Sequence, residues 1–120
     1  MFGFEKLDVW QQSIEYADCV YDVTRQFPTD ERFGLTSQLR RSAVSVSSNI
    51  AEGSGRGSNP DFARFVGTSY GSLLESVSQF HIAQRQQFLA REAFDNVYQR
   101  AEHVAQMLSG LQNSLERRQR

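Results

Sequence analysis

The chain is poor in several residues that would announce a function. It has one cysteine, Cys19, one lysine, Lys6, and two prolines, Pro28 and Pro60. A single cysteine closes no internal disulfide, which fits a reducing compartment, and a cytoplasmic location is expected. Apolar runs are only a few residues long, too short to cross a bilayer, and Met1 to Leu7 has neither the basic start nor the apolar stretch of a signal peptide. Metal-binding patterns are missing as well. The residues three before His81 and His103 are Ser78 and Arg100, so the Glu-x-x-His of di-metal bundles does not occur, and two histidines without paired ligand spacing make no zinc site. No G-x-S-x-G elbow is present, and no Ser-His-Asp group can be assembled. The tract "GSGRGS" lacks the lysine of a phosphate-binding loop, and no strand pattern precedes it. These absences point to a non-enzymatic protein with no catalytic residue, no metal and no cofactor. Cys19 is expected as a small packing residue, His81 as a hydrogen-bonded boundary residue and His103 as a surface one.

What is present is an ordinary globular composition, 39% hydrophobic and 12% aromatic over 120 residues, which predicts one domain spanning residues 1–120. The net charge of -1 conceals a gradient: residues 1–34 carry seven acidic and three basic side chains, whereas the rest carries seven acidic and ten basic, all arginine. Local patches of this kind govern attraction to nucleic acid more than the total does.

Hydrophobic spacing is helical throughout. Leu7, Trp10, Ile14, Ala17 and Tyr21 recur at gaps of three and four and predict a core stripe. A second series, Val9, Tyr16, Val20, Val23 and Phe27, lies roughly 120° round the same helix. Either the helix touches two neighbours within one bundle, which must hold in part, or some of this surface seals a homo-oligomer; the extent of Val9, Tyr16, Val20 and Val23 tilts the reading toward an oligomer. The segment "RRSAVSVSSNIAEGSGRGSNP", linker-like in composition, keeps Leu35, Leu39, Ala43, Val46 and Ile50 at gaps of four, four, three and four, as a helix requires. Its serines leave a slim flank for a neighbour, and Gly53 and Gly55 are expected to end it. Either Asn59 before Pro60, or Ser58 with Asp61, starts the next helix. A stripe of Phe62, Phe65, Val66, Ser69, Leu73 and Phe80 follows, widened by Tyr70, Leu74, Val77 and His81, and then Phe94, Val97, Ala101, Val104, Leu108, Leu111 and Leu115. Helices at roughly 5–27, 36–53, 59–85 and 91–116 joined by short connections predict an all-α, up-down-up-down antiparallel four-helix bundle that assembles as a homo-oligomer.

Arginines are the positive feature. Arg56 and Arg64 flank the glycine turn, while Arg40 and Arg41 lie about four helical turns away, so one copy does not gather all four, although a symmetric assembly would repeat each pair. The competing reading has Glu52 or Glu75 pairing with an arginine.

The tracts "VWQ", "FGLTSQLRR", "SNIAEG" and "GSLLES" resemble the four-helix-bundle family of proteins encoded in intervening sequences of bacterial 23S ribosomal RNA genes, related to the accessory protein of diversity-generating retroelements. The resemblance runs from Phe4 to about Leu115. It implies a ring-like homopentamer without known catalysis, nucleic-acid binding, and partnership with a reverse transcriptase in the retroelement branch. Arg40, Arg41, Asn49, Glu52 and Arg56 fall on the family motif, as do Gly71, Ser72 and Glu75. Ser47 stands where the family usually has proline, which predicts an unkinked helix, and Val77 stands where a second acidic residue is common. The function expected is binding of structured RNA or DNA through Arg40, Arg41, Arg56 and Arg64. The alternative is a scaffold that docks a protein partner such as a reverse transcriptase.

Overall fold

The computed structural model describes residues 1–118. They form α1 (Asp8–Thr24), α2 (Leu35–Ser54), α3 (Asn59–Arg85) and α4 (Arg91–Arg117), with short 3-10 turns at Gly3–Lys6 and Thr29–Glu31, in a rod of 48 × 22 × 21 Å. No strand occurs among the described residues. Each helix runs antiparallel to its neighbours: α1 packs on α2 and α4, and α3 on α2 and α4, in a square whose diagonals do not meet along the backbone. The expected all-α four-helix bundle is what forms.

The core follows the predicted stripes of α2, α3 and α4. Leu39, Ala43, Val46 and Ile50 are fully buried, facing Val66, Leu73 and Phe80 on α3 and Val97, Val104, Leu108 and Leu115 on α4. The closest pair is α2 with α3. Their seam is built from small residues: the Ser69 hydroxyl donates to the Val46 carbonyl oxygen at 2.6 Å, and Ser45 and Ser72 share a hydrogen bond of 2.9 Å. Such hydroxyls satisfy themselves across the seam, so buried serine costs little while the axes draw together. With Ser47 in place of proline, α2 continues unbroken to Ser54.

The reading of α1 needs correction, although Ala17 of its predicted core stripe is buried. Val9, Tyr16 and Val20, expected at an interface between copies, are buried inside the chain's own bundle, and Val23 is half-buried against the same core. Leu7, Trp10 and Ile14 are only partly covered, and Tyr21 is exposed. The physical reason lies in two polar residues on the buried face. Ser13 and Thr24 each donate a hydroxyl hydrogen to the carbonyl four residues earlier, Val9 and Val20, and so enter the core already paired. Tyr16 reaches furthest. Its hydroxyl lies 2.7 Å from Ser76 Oγ on the diagonal helix α3. Because Ser76 donates its own hydrogen to the Leu73 carbonyl, Tyr16 is the donor to Ser76. Burial pushes the Tyr16 pKa up to about 12.

Helix boundaries differ from expectation in three places. The first helix starts at Asp8 after the 3-10 turn that sets Phe4 edge-on to Trp10, 5.1 Å between centroids. It stops at Thr24 rather than Phe27, since the residue before Pro28 is driven out of helical geometry, and Phe27 turns inward onto Phe88 at 5.6 Å. Gly53 lies inside α2, and Gly55 ends the helix. Ser58 is the N-cap of α3, its hydroxyl accepting from the Asp61 amide.

Candidate nucleic-acid interface

The α1–α2 connection folds back along α2 and carries Arg32 and Phe33 with it. Glu31 holds this geometry: its Oε1 accepts the Leu35 amide at 3.0 Å, where an acidic group also meets the positive end of the helix dipole. The connection, the end of α1 and the outer face of α2 enclose an open groove of ≈ 660 Å3, lined by Tyr21, Arg32, Phe33, Arg40, Arg41 and Val44 together with hydroxyls of Thr36, Ser37, Ser45 and Ser48. Three guanidinium groups line it and no carboxylate does.

Two of these arginines are held in place by aromatic rings. The Arg32 guanidinium lies 5.0 Å from the Phe33 centroid, and that of Arg40 lies 4.6 Å from Tyr21. Arg40 Nε also donates to Thr24 Oγ1 at 2.9 Å. Arg41 is exposed, and among the described residues it has no carboxylate within ion-pairing distance.

A second, more polar cleft of ≈ 390 Å3 shares Arg41 and Ser45 with the groove and adds Gln38, Ser42, Ser72 and Glu75. Here Asn49, Gly71, Ser72 and Glu75 of the motif come together, whereas Glu52 and Arg56 do not. Asn49 Nδ2 donates to the Ser45 carbonyl at 2.8 Å and to Ser45 Oγ at 3.0 Å, and Ser45 joins Ser72. Gln79 closes the other side, donating to Glu75 Oε2 at 3.2 Å while accepting from the Ser42 hydroxyl at 3.0 Å. Gly71, beside this network, is exposed, and nothing lies within 4 Å of where its Cβ would stand.

Arg56 and Arg64 stand apart from all of this, at the glycine turn. Arg56 pairs with Glu52 at 3.3 Å and Arg64 with Asp61 at 3.6 Å, and both guanidiniums rest on Phe65, at 4.8 and 4.9 Å. The alternative of a local carboxylate partner therefore describes Arg56 with Glu52, while Glu75 binds Gln79. The structure brings Arg40 and Arg41 together and leaves Arg56 and Arg64 at the far end. Sequence reasoning overlooked Arg32 and Phe33, which fall in the short connection between the first two predicted helices. Their nearness to "LTSQLRR" was the available signal.

Residues 5–110 match the family described as 23S rRNA-intervening sequence protein. The chain belongs to this family. Within it, the fold matches the 1.70 Å crystal structure of a protein of unknown function from the S23 ribosomal protein family of Bacteroides thetaiotaomicron VPI-5482, with a TM-score of 0.77, 20% identity, and coverage of 86% of this chain and 96% of that one. No curated protein matches the chain. Other reactive groups offer this intervening-sequence protein little chemistry. Burial pushes the half-buried Cys19 thiol up from its ordinary pKa, which keeps it a weak nucleophile. His81 is exposed and packs edge-on to Phe94 at 5.1 Å and Tyr98 at 6.1 Å, and His103 is exposed on α4. Among the described residues no cluster of three or more metal-ligating side chains occurs, and no helix is long and apolar enough to cross a membrane.

Proposed function

We propose that this protein binds structured RNA or DNA, without catalysis, through the groove beside α2, with Arg32, Arg40 and Arg41 as its phosphate contacts. One observation carries the reading: three guanidiniums line a single concavity that contains no carboxylate, in a chain whose net charge is -1. Positive charge in a concave, partly apolar wall focuses potential outward, and a polyanion gains by releasing its counterions there. Thr36, Ser37 and Ser48 add hydroxyl donors of the kind that position a backbone without reading sequence. Arg56 and Arg64 are set aside in this reading, because each shares its charge with a neighbouring carboxylate. For self-association, expected at α1, we propose instead the exposed apolar residues of α3 and α4, Leu74, Ile82 and Tyr98, since Val9, Tyr16 and Val20 are buried within the chain's own bundle.

The test is a salt titration of binding to a labelled RNA hairpin, read by fluorescence anisotropy. Three phosphate contacts correspond to a slope of about -2.7 in log K against log salt, roughly a 40-fold loss of affinity between 50 and 200 mM. Changing Arg32, Arg40 and Arg41 together to alanine should abolish both the affinity and the slope, while the Arg56→Ala/Arg64→Ala pair should retain them. Binding that ignores salt, or that survives the triple change, defeats the proposal and favours a docking scaffold for a protein partner. Sedimentation velocity on the same samples, with Leu74→Ser/Ile82→Ser as the variant, checks the assembly surface.

A further inference from the structure

Phe33 is 87% exposed and lies outside the core cluster; among the described residues its one aromatic or cationic neighbour is Arg32, whose guanidinium lies 5.0 Å from the ring centroid. The ring face away from Arg32 is therefore open, and it belongs to the wall of the groove. A phenyl ring displayed in this way forgoes the burial that the core aromatics Phe27, Phe80 and Phe94 obtain. Its surroundings narrow what can cover it. Three guanidiniums and five hydroxyl-bearing residues line the same concavity, and burying those charges under an apolar protein face would leave them unpaired at heavy cost. A flat, apolar face joined to anionic groups meets both halves of the groove at once.

A base with its flanking phosphates has that character, but only when unpaired. In a duplex each base face is covered by its neighbours and only the edges are presented, so an aromatic side chain finds no open base face to stack on. At ≈ 660 Å3 the groove has the size of sites that enclose small-molecule ligands, about 300–1,000 Å3, which suits a nucleotide or two. We propose that the groove selects unpaired nucleotides, with one base stacked on the open face of Phe33 and the adjoining phosphates on Arg32, Arg40 and Arg41. This rests on the groove being a nucleic-acid site and names which form of nucleic acid it takes.

The experiment compares a short single-stranded RNA carrying a central 2-aminopurine with the same sequence as a blunt duplex, at equal salt, for the wild-type protein and for Phe33→Ala, Phe33→Leu and Phe33→Trp. The wild type should prefer the single strand and quench the 2-aminopurine. Phe33→Ala should weaken single-strand binding on the order of 10-fold and leave the duplex unchanged, as loss of one base–aromatic stack does. Phe33→Trp should restore both affinity and quenching, and Phe33→Leu, apolar without a π-face, should not. Equal binding of the two forms, or a leucine variant as good as the wild type, overturns the stacking proposal while the salt-dependent phosphate site stands. Failure of the wild type to bind either form at low salt overturns both. A change in sedimentation with no change in RNA affinity for Phe33→Ala assigns the ring to self-association and overturns this proposal alone.

Discussion

Gly53 and Gly71 both sit inside helices, yet adding one methyl group to each should have opposite effects. Gly53 faces α3 so closely that a Cβ would lie 2.6 Å from Phe65 Cβ and 3.1 Å from Phe62 Cδ1. Phe65 Cβ is fixed to its backbone and cannot swing aside, so α2 and α3 must part locally, and overpacking of this kind costs about 1–3 kcal/mol. The better helix propensity of alanine returns at most about 1 kcal/mol and less in the last turn of a helix, which leaves Gly53→Ala destabilised by up to about 2 kcal/mol. At Gly71 nothing lies within 4 Å of the added carbon, so Gly71→Ala keeps the propensity gain and stabilises by about 0.5–1 kcal/mol. Urea unfolding followed by far-UV circular dichroism measures both, and the two midpoints should fall on opposite sides of the wild type with similar m-values. A Gly53→Ala protein as stable as the wild type would refute the close approach of α2 and α3 at the glycine turn. The same two variants also separate stability from binding, since neither residue lines the arginine groove.

Tyr16 predicts an alkaline weakness. With its folded-state pKa raised to about 12 from 10.0, its contribution is fully present below pH 10 and is lost as pH rises toward 12, by about 2–3 kcal/mol on the scale of 1.36 kcal/mol per unit. Urea midpoints at pH 9, 10 and 11 should fall for the wild type and much less for Tyr16→Phe, which starts about 1 kcal/mol lower for want of the bond to Ser76; parallel curves would contradict the burial of the hydroxyl. Gln87 closes α3 with φ 65, in the left-handed region, where the Phe88 amide donates to the Ala83 carbonyl at 2.9 Å and the Gln87 amide to Gln84 at 2.9 Å. Glycine is the natural residue at such a position, so Gln87→Gly should raise thermal stability by about 0.5–1 kcal/mol, and a drop in Tm would contradict the assigned cap.

Three of the four helices were legible to within a residue or two because their apolar stripes are unambiguous and their ends carry strong punctuation. Leu39, Ala43, Val46 and Ile50 allow only one buried face for α2, whatever the serines suggest about flexibility. The first helix offered two apolar faces, and the larger hydrophobic residues favoured the wrong one. The face that is buried runs through Val9, Ser13, Tyr16, Val20, Thr24 and Phe27, and hydropathy discounts two of those six positions. Their hydroxyls bond back to the helix's own carbonyls, so they behave as small apolar residues once buried, a property of backbone geometry that a tally of polarity does not register. The groove was harder still. Arg32 and Phe33 acquire meaning only when the connection lies against α2, a long-range event that local periodicity does not encode.

Both ends of α2 carry arginines stacked on aromatic rings, and what separates them is where the carboxylates go. At the glycine turn the acids come from the same helices at helical spacing, Glu52 to Arg56 and Asp61 to Arg64, so each arginine carries its own counter-charge and the local sum is near zero. At the other end two of the nearby acids are engaged elsewhere: Asp22 pairs with Arg25, and Glu31 is bound to the first amide of α2. Within the groove Arg32, Arg40 and Arg41 have rings and hydroxyls for company, and Arg41 alone also borders the cleft that holds Glu75. Exposed ion pairs are worth little to stability, so this difference between the two ends is inexpensive to maintain in folding terms. Its effect on the surface is large, because a chain that is slightly acidic overall still presents one concave region where an anion meets only positive charge.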